Sequence, residues 1–146
     1  MKILVDTSYI YGLLVQKSIN HRAAQTILDK ILLSGSDDQF ITLNYVVQES
    51  YSVFSIRVHD ATYLDALDDL IYGKNSFFEI IYMDSNSHID GAIIQIIKDH
   101  LLEKPRKTLS FVDASLIYYG EQSQIDGILA FDSHFDTIIP SYPFSS

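Results

Sequence analysis

Cysteine and tryptophan are absent from this chain, proline occurs three times and glycine six, and cations are scarce: ten Lys and Arg stand against nineteen Asp and Glu. Without cysteine there is no disulfide framework and no thiolate zinc site. The formal net charge of −9 argues against a protein that coats nucleic acid through a broad basic surface. It leaves open a nuclease whose acidic cluster is neutralised by bound metal. No apolar run approaches the ~18 residues of a membrane span. The opening MKILVDTSYIYGLLV is interrupted by Asp6 and has no small-residue cleavage site, so it does not read as a signal peptide. A cytoplasmic protein without membrane association is expected.

What the chain does have is a good core. Its 146 residues are 47% hydrophobic, enough for one domain over 1–146 that buries roughly 70% of its unfolded surface. Short apolar runs at Lys2–Val5, Phe40–Leu43, Phe77–Met83 and Gly127–Phe131 predict strands, with Thr137–Ile139 as an edge strand. Helices are predicted at Thr7–Gln16, over HRAAQTILDKILLS behind an Asn20 cap, and through Glu49 behind an Asn44 cap. Further helices follow Asp60 as far as Gly73, span Ser87–Glu103 before Pro105, and run from Ser110 to near Gln124. In the second helix Ala23, Ile27, Leu28, Ile31 and Leu32 form the apolar stripe. Strands separated by helices imply a three-layer α/β/α sandwich with a mainly parallel central sheet.

Four acids then stand out because each ends or breaks an apolar stretch: Asp6 in ILVDTS, Glu49 in YVVQESY, Asp113 in SFVDASL and Asp132 in ILAFDSHF. A carboxylate beside a core is costly unless its charge is compensated. In open α/β sheets the binding crevice lies beyond the carboxyl ends of the strands. Asp6 and Asp132 follow strands, Asp113 sits in the first turn of a helix where an anion is favoured, and Glu49 has the length to reach the same crevice. Two carboxylates about 4 Å apart repel by ~4 kcal/mol at an effective dielectric near 20. A shared divalent cation is the simplest compensator, and an all-oxygen donor set suits Mg2+ or Mn2+ better than zinc.

Each acid also has a local explanation. Asp6 serves as an N-cap for the helix at Thr7, Ser110 with Asp113 matches a capping box, and Asp132 suits an Asx turn. Glu49 has the weakest such explanation, with no basic residue three or four positions away. Ser8, two residues beyond Asp6, is placed to hydrogen-bond a metal-bound water or a phosphate, or, in the commoner role, to start its helix. Asp136 reads as a turn residue before it reads as a fifth acid, and His134 is expected to be exposed. Lys104, Arg106 and Lys107 form the one tight basic group, a solvated loop or a phosphate-contacting patch. There is no Gly-rich phosphate loop, no nucleophile elbow and no paired-histidine spacing.

Together ILVDTSYI, VVQESYSVF, LSFVDASLIYYG and ILAFDSHFD resemble the PIN-domain family, specifically its small VapC-type toxin ribonucleases. The resemblance covers nearly the whole chain, and the order and spacing of D, E, D and D agree with the family pattern. It implies that Asp6, Glu49, Asp113 and Asp132 form an acidic quartet binding Mg2+ or Mn2+, with Ser8 supporting the first acid. It further implies an endonuclease of single-stranded RNA leaving a 5′-phosphate and a 3′-hydroxyl. A homodimer held inactive by a small antitoxin protein is also implied. Two features depart from that pattern: the acidity of the chain is awkward for RNA binding, and the insertion-like helix over Asp60–Gly73 with the long Ser87–Glu103 helix would reshape the substrate groove. Two other readings compete: a non-catalytic PIN-fold binding module, and an RNA-processing nuclease outside any toxin–antitoxin pair. A haloacid-dehalogenase phosphatase requires an acid two residues beyond Asp6, where this chain has Ser8.

Overall fold

A computed structural model describes residues 1–144. Its sheet has four strands: β1 (Lys2–Val5), β2 (Gln39–Leu43), β3 (Glu79–Ile81) and β4 (Gly127–Leu129). They lie in the order β3-β2-β1-β4, and all three pairings are parallel. Six helices cover the sheet: α1 (Thr7–Leu14), α2 (His21–Ser34), α3 (Asn44–Val53), α4 (Ala61–Tyr72), α5 (Ser87–Glu103) and α6 (Phe111–Gln122). This is the α/β/α sandwich that the alternation of apolar runs implies. Among the described residues no helix is long and apolar enough to cross a membrane.

The strands are apolar without alternation because parallel strands are covered on both faces. Ile3, Leu4 and Val5 are fully buried, as are Leu43, Ile128 and Leu129 to within 1%. Each such side chain contributes about 1.5–3 kcal/mol of transfer free energy. The chain builds outward from β1 through β2 to β3, then crosses back to set β4 on the other side of β1. The strand order therefore reverses between β1 and β4, where such sheets open a crevice at their carboxyl ends.

Several expected details change. β3 and β4 are shorter than the apolar runs that contain them. Thr137–Ile139 is not a strand: a 3-10 turn at Ser133–Phe135 comes first, and the N–H groups of Ile138 and Ile139 both donate to Phe135 O. The chain meets the β4 edge a little later, through a bridge between Ile128 and Ser141. Asn20 precedes α2 without a side-chain capping bond, and Asn44 is already helical, its Oδ1 accepting the Met83 N–H at 2.9 Å. The stripe of α2 is rotated, so that Ala24 is buried while Leu32 is 66% exposed. Gly12, unexpected inside a helix, has a packing reason: a Cβ there lies 3.1 Å from the Phe131 ring.

The α3 helix does not stop at Val53. It widens into a π turn over Phe54–Val58, which ends at His59 with φ 53. A left-handed conformation at a non-glycine residue costs about 1–2 kcal/mol.

Candidate active site: an acid-lined cleft

Asp6 is the first residue after β1, and its N–H donates to Leu129 O at the end of β4. That bond fixes Asp6 at the crevice between the two strands. As N-cap of α1 it accepts, through Oδ2, the Ser8 N–H at 3.1 Å and the Ser8 hydroxyl at 2.6 Å. Ser8 Oγ in turn accepts the Phe131 N–H at 3.0 Å, just beyond β4. One hydroxyl thus ties the first acid to the strand leading toward the fourth. Asp6 Oδ1 is buried without a hydrogen-bond partner.

Asp113 lies in the first turn of α6. Its Oδ2 accepts the Ser110 N–H at 3.1 Å while Ser110 Oγ accepts the Asp113 N–H, also at 3.1 Å, a complete capping box. Tyr45 and Phe111 meet edge to face at 5.6 Å and join α3 to α6, setting the helix of Glu49 beside that of Asp113. Asp132 caps the 3-10 turn through Oδ1, which accepts the His134 N–H at 3.3 Å.

All four carboxylates line a single cleft of about 640 Å3, with Thr7, Ser8, Tyr11, Asn20 and Arg57 among its other walls. The local capping roles and the convergence hold together, since Asp6 and Asp113 each commit Oδ2 to a cap. Electrostatics mark the crowding. Burial, aided by Asp113 and Glu49, raises the Asp6 pKa from an ordinary 3.8 to about 7. Burial also raises Glu49, with Asp113 and Asp132 adding to it, and raises Asp113, with Asp132 adding to it. Ser8 and Ser110 oppose these changes by hydrogen bonding to the ionised forms of Asp6 and Asp113. The buried Thr7 hydroxyl favours ionised Glu49 without closing a hydrogen bond to it.

The donor set fits a hard divalent cation. It consists of carboxylates with no sulfur, and one buried oxygen lacks any partner. Among the described residues no three acids or histidines are drawn into a ready coordination cluster. Mg2+ does not require one, because it takes one or two carboxylates and fills its shell with water and phosphate oxygens.

Contrary to the exposure expected of it, the His134 side chain is only 22% exposed, and its Nε2 lies 3.0 Å from Asp132 Oδ1. The spacing Asp132-x-His134 contained the signal, because a tight turn returns the second side chain to the first. Arg57, eight residues beyond Glu49, carried no sequence signal. Asp136 caps the end of the 3-10 turn and does not line the cleft. Lys104, Arg106 and Lys107 are exposed on the loop before Ser110 and do not line it either.

No protein-family model matches the sequence, and no curated protein does. In fold the chain is similar to the crystal structure of Mycobacterium tuberculosis VapC20, a sarcin-ricin loop cleaving toxin. The TM-score is 0.68 over 92% of each chain, at 19% sequence identity. That likeness is one of fold, and it agrees with the PIN-like architecture implied by the four sequence segments.

Proposed function

We propose that this chain is a metal-dependent endoribonuclease that hydrolyses phosphodiester bonds of single-stranded RNA, acting as the toxin of a toxin–antitoxin pair. The observation that carries the reading is the convergence of Asp6, Glu49, Asp113 and Asp132 on one cleft, where Asp6 Oδ1 is buried and unpartnered. The fold shared with VapC20 supports the substrate class.

Asp6, Asp113 and Asp132 would hold Mg2+ or Mn2+, which when bound neutralises the crowded carboxylates and stabilises charge on the phosphate and leaving oxygen. The residues of the chain do the rest. Ser8 and Ser110 lock two of the acids in place, so little reorganisation is needed when substrate arrives. Glu49, made more basic by burial, accepts the proton of the attacking water. The water oxygen bonds to phosphorus as the bond to O3′ breaks, and the departing O3′ takes up a proton from solvent, leaving a 5′-phosphate and a 3′-hydroxyl. Lys104, Arg106 and Lys107 serve as outer contacts for RNA approaching past Ser110. The chain works as one nuclease domain over 1–146 in the cytoplasm, as a homodimer restrained by a small antitoxin protein.

The lack of a preformed three-ligand cluster among the described residues favours a second reading, a non-catalytic module that retains the fold. Mn2+-dependent cleavage of a labelled single-stranded RNA separates the two. The nuclease reading expects cleavage by the natural chain and a loss of at least about 100-fold in Asp6→Asn and in Asp113→Asn. Cleavage unchanged in both variants refutes the site assignment, and no cleavage by the natural chain favours the module.

A further inference from the structure

An acidic cleft repels the substrate proposed for it. A polyanion entering beside four carboxylates needs a fixed positive charge at the point of entry, and this chain has few to offer. Among the described residues that line the cleft, Arg57 is the one cation. It is exposed, forms no ion pair among the described residues, and also borders the adjoining hollow lined by Lys17, Val15 and Tyr63.

Its position depends on the π turn. Glu49, Val53 and Arg57 all line the cleft. In a regular α-helix, at 100° per residue, position 57 is rotated by about 80° from position 49. The i→i+5 bonding of Phe54–Val58 places more residues in each turn and takes back part of that rotation. The segment then stops at once in the left-handed His59. The π turn sits where it brings Arg57 back toward the face that carries Glu49, and the left-handed His59 ends the segment directly after it. Such departures from regular helix are common at functional sites.

We infer that Arg57 is a phosphate-binding residue of the cleft, gripping the RNA backbone next to the scissile bond through its planar N–H fork. The inference rests on the nuclease reading for its substrate and on the π turn for its geometry. A guanidinium matches two phosphate oxygens at once and keeps its charge at every accessible pH. Because it contacts backbone rather than bases, its contribution is independent of sequence.

The purely structural alternative is that Arg57 complements the carboxyl-terminal end of its helix. That role affects stability but not salt dependence. The test measures binding of a fluorescent single-stranded RNA by anisotropy without divalent metal, at several salt concentrations, alongside Mn2+-dependent cleavage and thermal midpoints. Arg57→Ala is expected to weaken binding about tenfold for unrelated RNA sequences. It should also lower the log–log salt slope by roughly 0.7 and raise KM with little change in kcat. Arg57→Lys should recover the slope and part of the affinity. Lys30→Ala, which removes the same charge from α2, should leave all three unchanged. If the natural chain cleaves RNA and Arg57→Ala matches it in affinity, slope and KM, the inference is overturned and the nuclease reading stands. Arg57-dependent binding without cleavage overturns the nuclease reading and keeps the phosphate site. Neither binding nor cleavage by the natural chain overturns both.

Discussion

At the amino ends of the strands, Asp38 meets the Met1 ammonium at 3.0 Å and Asp126 accepts the Lys2 N–H at 2.8 Å. At the carboxyl ends, Asp6 is 2% exposed with one oxygen unpartnered, and Asp113 and Glu49 add charge of the same sign. Both sets of acids flank the same strands, yet the first is satisfied by the chain while the second keeps a buried Asp6 oxygen without a partner beside further carboxylates. An exposed pair such as Met1–Asp38 contributes about 0–1 kcal/mol and requires nothing further. At the crowded end Arg57 and His134 offset only part of the charge, and the pKa values of Asp6, Glu49 and Asp113 stay raised, so a cation from outside favours the anionic forms. The contrast separates carboxylates that finish a fold from carboxylates that await a ligand.

The sharpest way to break the contrast is to neutralise one acid at each end. The folded-state pKa of Asp6 lies above its ordinary 3.8, at about 7. In metal-free protein the folded state therefore keeps a proton that the unfolded chain releases. The stabilisation due to that proton is complete below about pH 4 and is lost as pH rises to about 7. Each tenfold gain in proton affinity on folding is worth about 1.4 kcal/mol, so the whole effect amounts to roughly 4 kcal/mol. Asp6→Asn should flatten the fall in stability between about pH 4 and 8 in denaturant melts without metal, whereas Asp38→Asn should leave it intact. An unchanged pH profile in Asp6→Asn means the charge at that end is already compensated.

A smaller effect is expected from Ser8→Ala. It removes the 2.6 Å bond to Asp6 and leaves the Phe131 N–H without its acceptor. A loss of about 1–3 kcal/mol is expected from denaturant melts, with Mn2+ affinity reduced about tenfold or more. Retained affinity would mean that Ser8 only starts its helix.

Much of this was legible in the sequence. The runs KILV and FITL and the helix Ser87–Glu103 declare themselves by composition and punctuation, and Ser110 with Asp113 announces its own cap. The convergence of the four acids was legible as an expectation, because strand-end and helix-start positions share an edge in a parallel sheet. Other features left no mark. The π turn is a hydrogen-bond register that no residue type specifies, so Arg57 was invisible as a wall of the cleft. Thr137–Ile139 has the β-branching of a strand, but the buried Phe135 draws the preceding residues into a 3-10 turn and spends the Ile138 and Ile139 N–H groups there. Asn44 looks like a cap but serves as an acceptor for Met83, a partner 39 residues away that spacing cannot reveal.

The most direct test of the central claim is calorimetric titration of the natural chain with Mn2+ in buffers of different ionisation enthalpy. A cation recruited by these carboxylates should bind with release of a proton near pH 7, where Asp6 is about half protonated. That release should vanish by about pH 9, and binding should be lost or strongly weakened in Asp6→Asn. No binding at millimolar Mn2+, or binding that is indifferent to Asp6→Asn, would contradict the account.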